Sequence, residues 1–162
     1  MTPRILIVDD DPDMVELLRL ALTDAGFSVR TAADGQEALR KALRAPPDLV
    51  VLDLLLPGMN GYSVCEQLRL IPATASVPVL MITVLPGEFP RLVGVEAGAD
   101  AYLNKPFRMD EFISCVGDLV RRHGGGAEVL AAPPQSRAGD AIPLFPEASA
   151  ALETVLRLPA QA

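Results

Sequence analysis

Residues 49–53 read LVVLD, four consecutive apolar residues followed by a single aspartate. Two further apolar runs, Ile5–Val8 and Val79–Ile82, have the same length and also contain valine or isoleucine. Unbroken runs of this kind are typical of strands that are covered on both faces, as in parallel sheets. The three runs therefore predict the central strands of a parallel sheet.

Helical patterns separate these runs, and two shorter segments, at residues 28–31 and 101–103, are typical of strands nearer the edges of a sheet. Apolar residues at helical spacing predict five helices, over about residues 14–25, 38–43, 62–70, 90–97 and 109–122. Asp11 is the N-cap candidate of the first helix. Strand and helix alternate five times, which predicts a parallel sheet wrapped by helices, an α/β fold.

The domain organisation follows from a change of composition and hydrophobic pattern near residue 124. Residues 1–123 carry the alternating pattern and predict one domain, and the Gly- and Pro-rich segment 124–146 predicts a linker. Residues 147–158 have apolar positions at helical spacing and predict a short amphipathic helix. This tail could be the remnant of a linker, a solubilising tail or a docking segment.

Composition excludes several classes of protein. The net charge of -7, with no dense basic stripe, argues against direct binding of nucleic acid. The chain has no predicted signal peptide and no apolar run of transmembrane length, so we expect no membrane association and a cytoplasmic location. The two cysteines, Cys65 and Cys115, form no paired motif, and each is expected to act as a small hydrophobe inside a helix.

Polar residues follow four of the predicted strands. Asp9 and Asp10 follow the first, Asp53 the third, Thr83 the fourth and Lys105 the fifth. In open α/β sheets the ligand site lies beyond the carboxyl ends of the strands. Any one of these residues alone would be a common turn former or helix cap, but their joint occurrence predicts a single site.

The residue types of this site indicate metal-assisted phosphoryl chemistry. Clustered carboxylates repel one another unless a cation compensates, and Mg²⁺ prefers such oxygen ligands. Lys105 can pair with a carboxylate at rest and with a phosphoryl group after transfer, and Thr83 can donate its hydroxyl to another phosphoryl oxygen. Asp53 is then the candidate nucleophile, which would form an aspartyl phosphate.

The sequence resembles the receiver domains of two-component response regulators over residues 3–122. The matching segments are Ile5–Pro12, Val51–Gly61, Pro78–Thr83 and Gly98–Phe107. The resemblance implies a flavodoxin-like doubly wound fold, with five parallel strands in the order 2-1-3-4-5 and five helices. It also implies a signalling domain that is not an enzyme and that takes its phosphoryl group from a sensor histidine kinase, a histidine phosphotransfer protein or a small acyl phosphate.

The same resemblance implies roles for individual residues. Asp10, Asp53 and the backbone carbonyl of Leu55 would bind Mg²⁺ directly, and Asp9 would act through a metal-bound water. Lys105 and Thr83 would hold the phosphoryl group, and the Lys105–Pro106 bond would be cis. No other cofactor is implied.

Switching would involve Thr83 and an inward turn of the aromatic residue that matches Tyr102. A simpler alternative makes Tyr102 a half-buried edge residue with its hydroxyl in water. The resemblance allows a homodimer through the face formed by the fourth helix, fifth strand and fifth helix, with output through protein contacts.

Several positions depart from the family pattern. Val84 stands where a small residue is usual, which suggests slowed phosphotransfer, testable in Val84→Ala. Leu55 and Leu85 flank the route of the hydrolytic water and predict a long-lived aspartyl phosphate. The segment 85–90 is rich in proline and predicts a rigid loop, with altered switching or a partner surface as the functional alternative.

Two other functions were compared with the phosphoryl switch. A phosphatase of the haloacid-dehalogenase type also uses an aspartate, Mg²⁺ and a lysine, but it needs a second acid two residues after the nucleophile, where this chain has Leu55. A flavodoxin-like binder of nucleotide or flavin needs a Gly- or Ser/Thr-rich phosphate loop after the first strand, where this chain has aspartates. The phosphoryl switch is therefore the preferred prediction.

Overall fold

The computed structural model describes residues 1–85 and 87–124. Strands and helices alternate in the order β1 Arg4–Val8, α1 Pro12–Asp24, β2 Ser28–Ala32, α2 Gly35–Arg44, β3 Leu49–Asp53, α3 Gly61–Leu70, β4 Val79–Thr83, α4 Glu88–Glu96, β5 Ala101–Asn104 and α5 Met109–His123. The strands pair in parallel in the order β2-β1-β3-β4-β5. This confirms the predicted α/β fold, with β2 and β5 at the edges.

The apolar runs are buried on both faces of the sheet. Alternate residues of each strand point to opposite faces, so Leu6 packs with Val64 of α3 on one side. Ile7 packs with Leu18 of α1 and Phe112 of α5 on the other side. This double burial explains why the apolar runs of the central strands contain no polar residue before their carboxyl ends.

Side chains at the helix starts fix where three of the helices begin. Asp11 caps α1, as predicted, and its carboxylate accepts hydrogen bonds from the backbone of Asp13 and Met14. Asp34 caps α2 and Asn60 caps α3 in the same way. Each cap satisfies backbone N–H groups that the first turn of a helix leaves without partners.

Helix α4 begins two residues earlier than the sequence predicts. It starts at Glu88, after Gly87, which has a φ of 94°, a left-handed conformation that favours glycine. Pro90 lies in the first turn, where the missing N–H of proline has no helical partner to lose. The segment 85–90 is therefore partly helical, which corrects the prediction of a loop.

Arg69 of α3 anchors the amino-terminal ends of β4 and β5. Its guanidinium donates to the carbonyls of Val77 and Gly98, each at 2.7 Å, and pairs with Asp100 at 2.8 Å. Asp100 also accepts from the backbone N–H of Val79 at 2.8 Å. These contacts fix the relative position of the two strands whose other ends carry Thr83 and Lys105.

The predicted tail lies almost entirely outside the described residues. Of the linker at 124–146 only Gly124 is described, and the helix at 147–158 is not described at all. Within the described part of the chain, none of the helices combines the length and the apolar character that crossing a bilayer would need.

Candidate functional site

Four neighbouring strands bring the predicted site residues to one edge of the sheet. Asp9 and Asp10 follow β1, Asp53 ends β3, Thr83 ends β4 and Lys105 follows β5. Because β1, β3, β4 and β5 are consecutive in the sheet, their carboxyl ends lie side by side. The structure therefore brings all five residues to the same edge.

The three carboxylates form a compact cluster. Ligand atoms of Asp9, Asp10 and Asp53 all lie within 4.8 Å of one another. Asp9 and Asp53 are only 2% and 6% exposed, whereas Asp10 is exposed. The cluster is thus buried on the strand side and open to solvent at Asp10.

Backbone groups orient the two buried carboxylates. Asp9 Oδ1 accepts from the N–H of Asp11 at 2.9 Å, and Asp53 Oδ1 accepts from the N–H of Leu55 at 3.0 Å. In each case the donor lies two residues further along the chain. The backbone that follows the strand therefore orients the aspartate carboxylate at the end of that strand. The second oxygen of each carboxylate faces Lys105.

Lys105 bridges the two buried aspartates. Its Nζ lies 2.9 Å from Asp53 Oδ2 and 3.1 Å from Asp9 Oδ2. Burial by itself would lower the pKa of Lys105, but the hydrogen bonds and charges of Asp53 and Asp9 outweigh it and raise the pKa above its usual value. Lys105 is therefore a fixed positive charge in the site.

Burial raises the pKa of Asp9. The backbone hydrogen bond from Asp11 and the ammonium of Lys105 oppose this shift, while the charge of Asp53 adds to it. The single positive charge of Lys105 does not neutralise the three carboxylates of the cluster. An additional cation would relieve the remaining repulsion.

The donor set fits a hard divalent cation. Three carboxylates converge, one of them from the solvent side, and Mg²⁺ binds through one or two carboxylates while it keeps several waters. The cluster offers no sulfur or imidazole ligand, which softer metals prefer. The arrangement is consistent with the predicted magnesium site.

Thr83 is fully buried at the end of β4. Its Oγ1 accepts from the backbone N–H of Leu85 at 3.2 Å, which leaves the hydroxyl proton able to donate. The Lys105–Pro106 peptide bond beside it is cis, as the resemblance implies.

Tyr102 is a half-buried residue of the edge strand β5, as in the simpler alternative, but its hydroxyl is placed differently. Its hydroxyl is buried and has no hydrogen-bond partner among the residues that the structure describes, so it does not lie in water. Burial raises the pKa of Tyr102 above its usual value. The guanidinium of Arg91 lies over the ring, 5.7 Å from its centroid, and holds the aromatic group against α4.

The apolar residues that depart from the family pattern lie directly after β3 and β4. Leu55 is 51% exposed and Val84 is 59% exposed, whereas Leu85 is partly buried against the core. Leu55 and Val84 thus place apolar surface in solvent within two residues of Asp53 and Thr83.

Sequence reasoning did not assign a role to Gly61 or find the second partner of Lys105. Gly61 lies against the backbone of Asp53, and nothing in the sequence pattern indicates this contact. Lys105 was expected to pair with a carboxylate, but nothing in the spacing showed that Asp9 and Asp53 would share it. Both features depend on contacts between distant segments.

Comparisons with known proteins support one family. A family model described as the response regulator receiver domain matches residues 5–116. The chain is 44% identical over 120 residues to the DNA-binding dual master transcriptional regulator RpaA of Synechocystis sp.. The matched region covers 74% of this chain and 50% of that protein. The chain is 43% identical over 123 residues to the DNA-binding response regulator MtrA of Mycolicibacterium smegmatis, with coverages of 76% and 53%.

Solved structures agree with these relatives. The chemotaxis response regulator CheY4 of Vibrio cholerae superposes with a TM-score of 0.70 at 31% identity, covering 74% of this chain and 99% of that one. The signal receiver domain of a histidine kinase from Syntrophus aciditrophicus gives a TM-score of 0.72 at 30% identity, with coverages of 81% and 98%. The chain spans about half the length of the curated relatives that it matches.

Proposed function

The chain belongs to the response regulator receiver domain family of two-component signalling, and we propose that Asp53 is its phosphoryl acceptor. The single observation that carries this proposal is the position of Asp53. It lies buried between Lys105 and the carboxylates of Asp9 and Asp10 at the carboxyl edge of the sheet.

The proposed reaction is a phosphoryl transfer to one carboxylate oxygen of Asp53. A new bond forms between that oxygen and phosphorus, and the bond from phosphorus to the donor's nitrogen or oxygen breaks. The leaving group keeps the electron pair of the broken bond. Catalysis of such a transfer consists mainly of positioning and charge neutralisation.

Lys105 and Thr83 hold the transferred group. The ammonium of Lys105 already contacts Asp53 at 2.9 Å, so it can turn to an oxygen of the phosphoryl group once that group replaces the carboxylate charge. Thr83, from the next strand, can donate its hydroxyl to another oxygen. Both side chains are buried or nearly so, which strengthens their interaction with the new charge.

Mg²⁺, when bound, neutralises phosphoryl oxygens and brings donor and acceptor together. We propose that Asp10, Asp53 and the carbonyl of Leu55 hold it directly, and that Asp9 acts through a water. The exposure of Asp10 and the burial of Asp9 are consistent with this division.

A Mg²⁺-dependent phosphatase remains the alternative function, but the site does not favour it. Such an enzyme needs a second acid two residues after the nucleophile. That position is Leu55, whose backbone N–H binds Asp53 Oδ1 and whose side chain is apolar and half exposed. We therefore propose a signalling domain whose own catalysis is limited to accepting and slowly losing its phosphoryl group.

The proposed phosphoryl donor is a sensor histidine kinase or a histidine phosphotransfer protein, and the proposed location is the cytoplasm, where such partners present phosphohistidine.

The names of two relatives include DNA binding, but these proteins are about twice as long as the matched region. For this chain the expectation of no direct nucleic-acid contact and no membrane contact, made from charge and hydropathy, stays a prediction. Homodimerisation through α4, β5 and α5 is proposed as one form of output.

Switching is proposed to pass from Thr83 to Tyr102 and α4. Tyr102 is already turned inward, its hydroxyl has no hydrogen-bond partner among the described residues, and a buried hydroxyl without a partner is unfavourable. A shift of α4 that supplied a partner would therefore be favourable. Phosphorylation could select that arrangement.

The first prediction concerns phosphoryl acceptance itself. Incubation of the chain with phosphoramidate and Mg²⁺ is expected to add one phosphoryl group, because the site neutralises the charge of the incoming group. Intact-mass measurement would detect this addition, and chelation of Mg²⁺ with EDTA should abolish it. Equal addition with and without Mg²⁺ would argue against the metal's role.

The second prediction concerns the lifetime of the aspartyl phosphate. Leu55 and Leu85 cannot orient a water molecule for attack on phosphorus. Replacing both, as Leu55→Asn with Leu85→Ser, is expected to shorten the half-life roughly tenfold, less than a positioned general base would achieve. The decay can be followed by phosphate-affinity electrophoresis, with Leu70→Asn, at an exposed leucine of α3, as the control. An unchanged half-life in the double variant would refute the idea.

A further inference from the structure

We infer that Gly61 is a positioning residue for Asp53, and this inference rests on the proposed function of Asp53 as the acceptor. Gly61 is the first residue of α3. Its lack of a side chain lets the start of this helix lie directly against the backbone that carries Asp53. The backbone of Asp53 thus packs against the start of α3, and its carboxylate is held by Lys105.

The contact at Gly61 is with backbone atoms. A Cβ atom at this position would lie 2.4 Å from the carbonyl oxygen of Asp53, 2.9 Å from Leu54 Cα and 3.1 Å from the carbonyl carbon of Asp53. Real Cβ atoms do not approach other atoms closer than about 3 Å, because van der Waals repulsion rises steeply below that distance. Backbone atoms also cannot turn aside as the end of a flexible side chain can.

Conformational freedom does not explain the glycine. In the described part of the chain, the glycines with a positive φ are Gly26, Gly58, Gly87 and Gly98, and Gly61 is not one of them. An alanine could therefore adopt the backbone conformation of residue 61 without strain. The close approach to β3 is what requires glycine here.

Helix α3 has little room to move away from the added atom. Its N–H at Gly61 donates to the carbonyl of Leu54 at 3.0 Å, and Val64, Cys65 and Leu68 are buried in the core. The end of β3 would therefore have to yield as well. Because the backbone of Asp53 carries its carboxylate, such a shift would disturb the hydrogen bond from the N–H of Leu55 and the contact with Lys105.

Gly35 provides a matched control within the same chain. It is the first residue of α2, follows a capping residue as Gly61 does, and is also buried. A Cβ at Gly35 would meet Val64 Cγ2 at 2.6 Å and Met59 Cβ at 3.2 Å, which are side-chain atoms and not part of β3. Gly35→Ala thus adds the same atom at the same helical position, against side chains of Val64 and Met59 that can shift and not against the backbone of Asp53.

The test compares Gly61→Ala with Gly35→Ala in the full chain. Both variants are expected to lose thermal stability. Only Gly61→Ala is expected to slow Mg²⁺-dependent acceptance from phosphoramidate, by about tenfold or more, and to shift the Leu55 amide resonance in Mg²⁺-free ¹H–¹⁵N spectra. Equal acceptance rates and equal Leu55 shifts in the two variants would overturn the inference.

A second pair of variants covers the case in which Gly61→Ala does not fold. Asn60→Ala removes the cap of α3, whose Oδ1 accepts from the N–H of Ser63 at 3.0 Å, and Asp34→Ala removes the cap of α2, which accepts from Glu37 at 2.7 Å. Loosening the first turn of α3 should slow acceptance and shift the Leu55 amide more than loosening α2. Equal effects would overturn the inference.

The two proposals can fail separately. If the wild-type chain takes no phosphoryl group, the proposed function fails. The Leu55 amide shift in Mg²⁺-free protein still reports whether Gly61 positions Asp53, because that resonance depends on the hydrogen bond to Asp53 Oδ1 and not on phosphoryl transfer.

Discussion

Replacing Asp53 with asparagine is expected to abolish phosphoryl acceptance. An amide oxygen is a far weaker nucleophile than a carboxylate, and removal of a covalent nucleophile costs roughly 10³-fold or more in rate. The fold should survive, because the amide oxygen can still accept the hydrogen bond that Leu55 N–H gives to Oδ1. Intact-mass measurement after incubation with phosphoramidate and Mg²⁺ checks the prediction.

The control for Asp53→Asn is Asp48→Asn. Asp48 lies just before β3 and binds Arg4 at the opposite, amino-terminal end of the sheet. Its replacement removes the same charge without touching the site, and acceptance should stay at the wild-type rate. Persistence of the phosphoryl adduct in Asp53→Asn at an unchanged rate would show that another residue is the acceptor.

Replacing Lys105 with methionine is expected to give the second-largest effect, on stability and on acceptance together. The change leaves the buried carboxylates of Asp9 and Asp53 without their shared cation. Breaking a buried pair in this way costs about 3–5 kcal/mol. We expect the lower end, about 3 kcal/mol, because Asp9 can take up a proton and the cluster opens to solvent at Asp10.

Mg²⁺ should compensate for part of this loss. In the variant neither Asp9 nor Asp53 contacts a cationic side chain among the described residues, so the same concentration of Mg²⁺ should stabilise Lys105→Met more than the wild type. Urea unfolding with and without Mg²⁺ measures this difference. Acceptance should remain impaired in either case, because methionine cannot contact the phosphoryl oxygens.

The pH dependence of the free energy of unfolding tests the contribution of Lys105 to stability. Its pKa lies above the usual 10.5 in the folded state, so its contribution to stability is fully present below pH 10.5. That contribution is lost as the pH rises through the folded-state pKa. The stability difference between wild type and Lys105→Met should therefore narrow under strongly alkaline conditions.

Lys41, the other lysine of the chain, is the control for Lys105→Met. It pairs with Glu37 one turn away on α2, and both side chains are about a third exposed. Exposed pairs of this kind contribute less than about 1 kcal/mol. A loss of stability in Lys41→Met as large as that in Lys105→Met would contradict the argument from burial.

The fold could be predicted from the sequence because its strongest signals are local. The runs in β1, β3 and β4 are apolar throughout, since both faces of each strand are covered. The start of α4 was predicted less well. A proline in the first turn looks like a helix start, and the left-handed Gly87 that precedes the helix carries no apolar signal.

The grouping of the site residues at one edge of the sheet could be predicted, but not the contacts between them. Strand ends in a parallel sheet converge, so the order of Asp9, Asp53, Thr83 and Lys105 along the chain was enough to group them. The inward position of the Tyr102 hydroxyl and the close approach of Gly61 to Asp53 depend on how helices α3 and α4 pack on the sheet. Such distances are set by tertiary packing and leave no pattern in the sequence.

The most direct test of the account is to locate the phosphoryl group after transfer. Wild-type chain that has been incubated with phosphoramidate and Mg²⁺ is treated with borohydride, which reduces an acyl phosphate to the alcohol, and is then digested and mapped by mass spectrometry. The account predicts that residue 53 alone is converted from aspartate to homoserine. Conversion at Asp9 or Asp10, or no conversion at all, would contradict it.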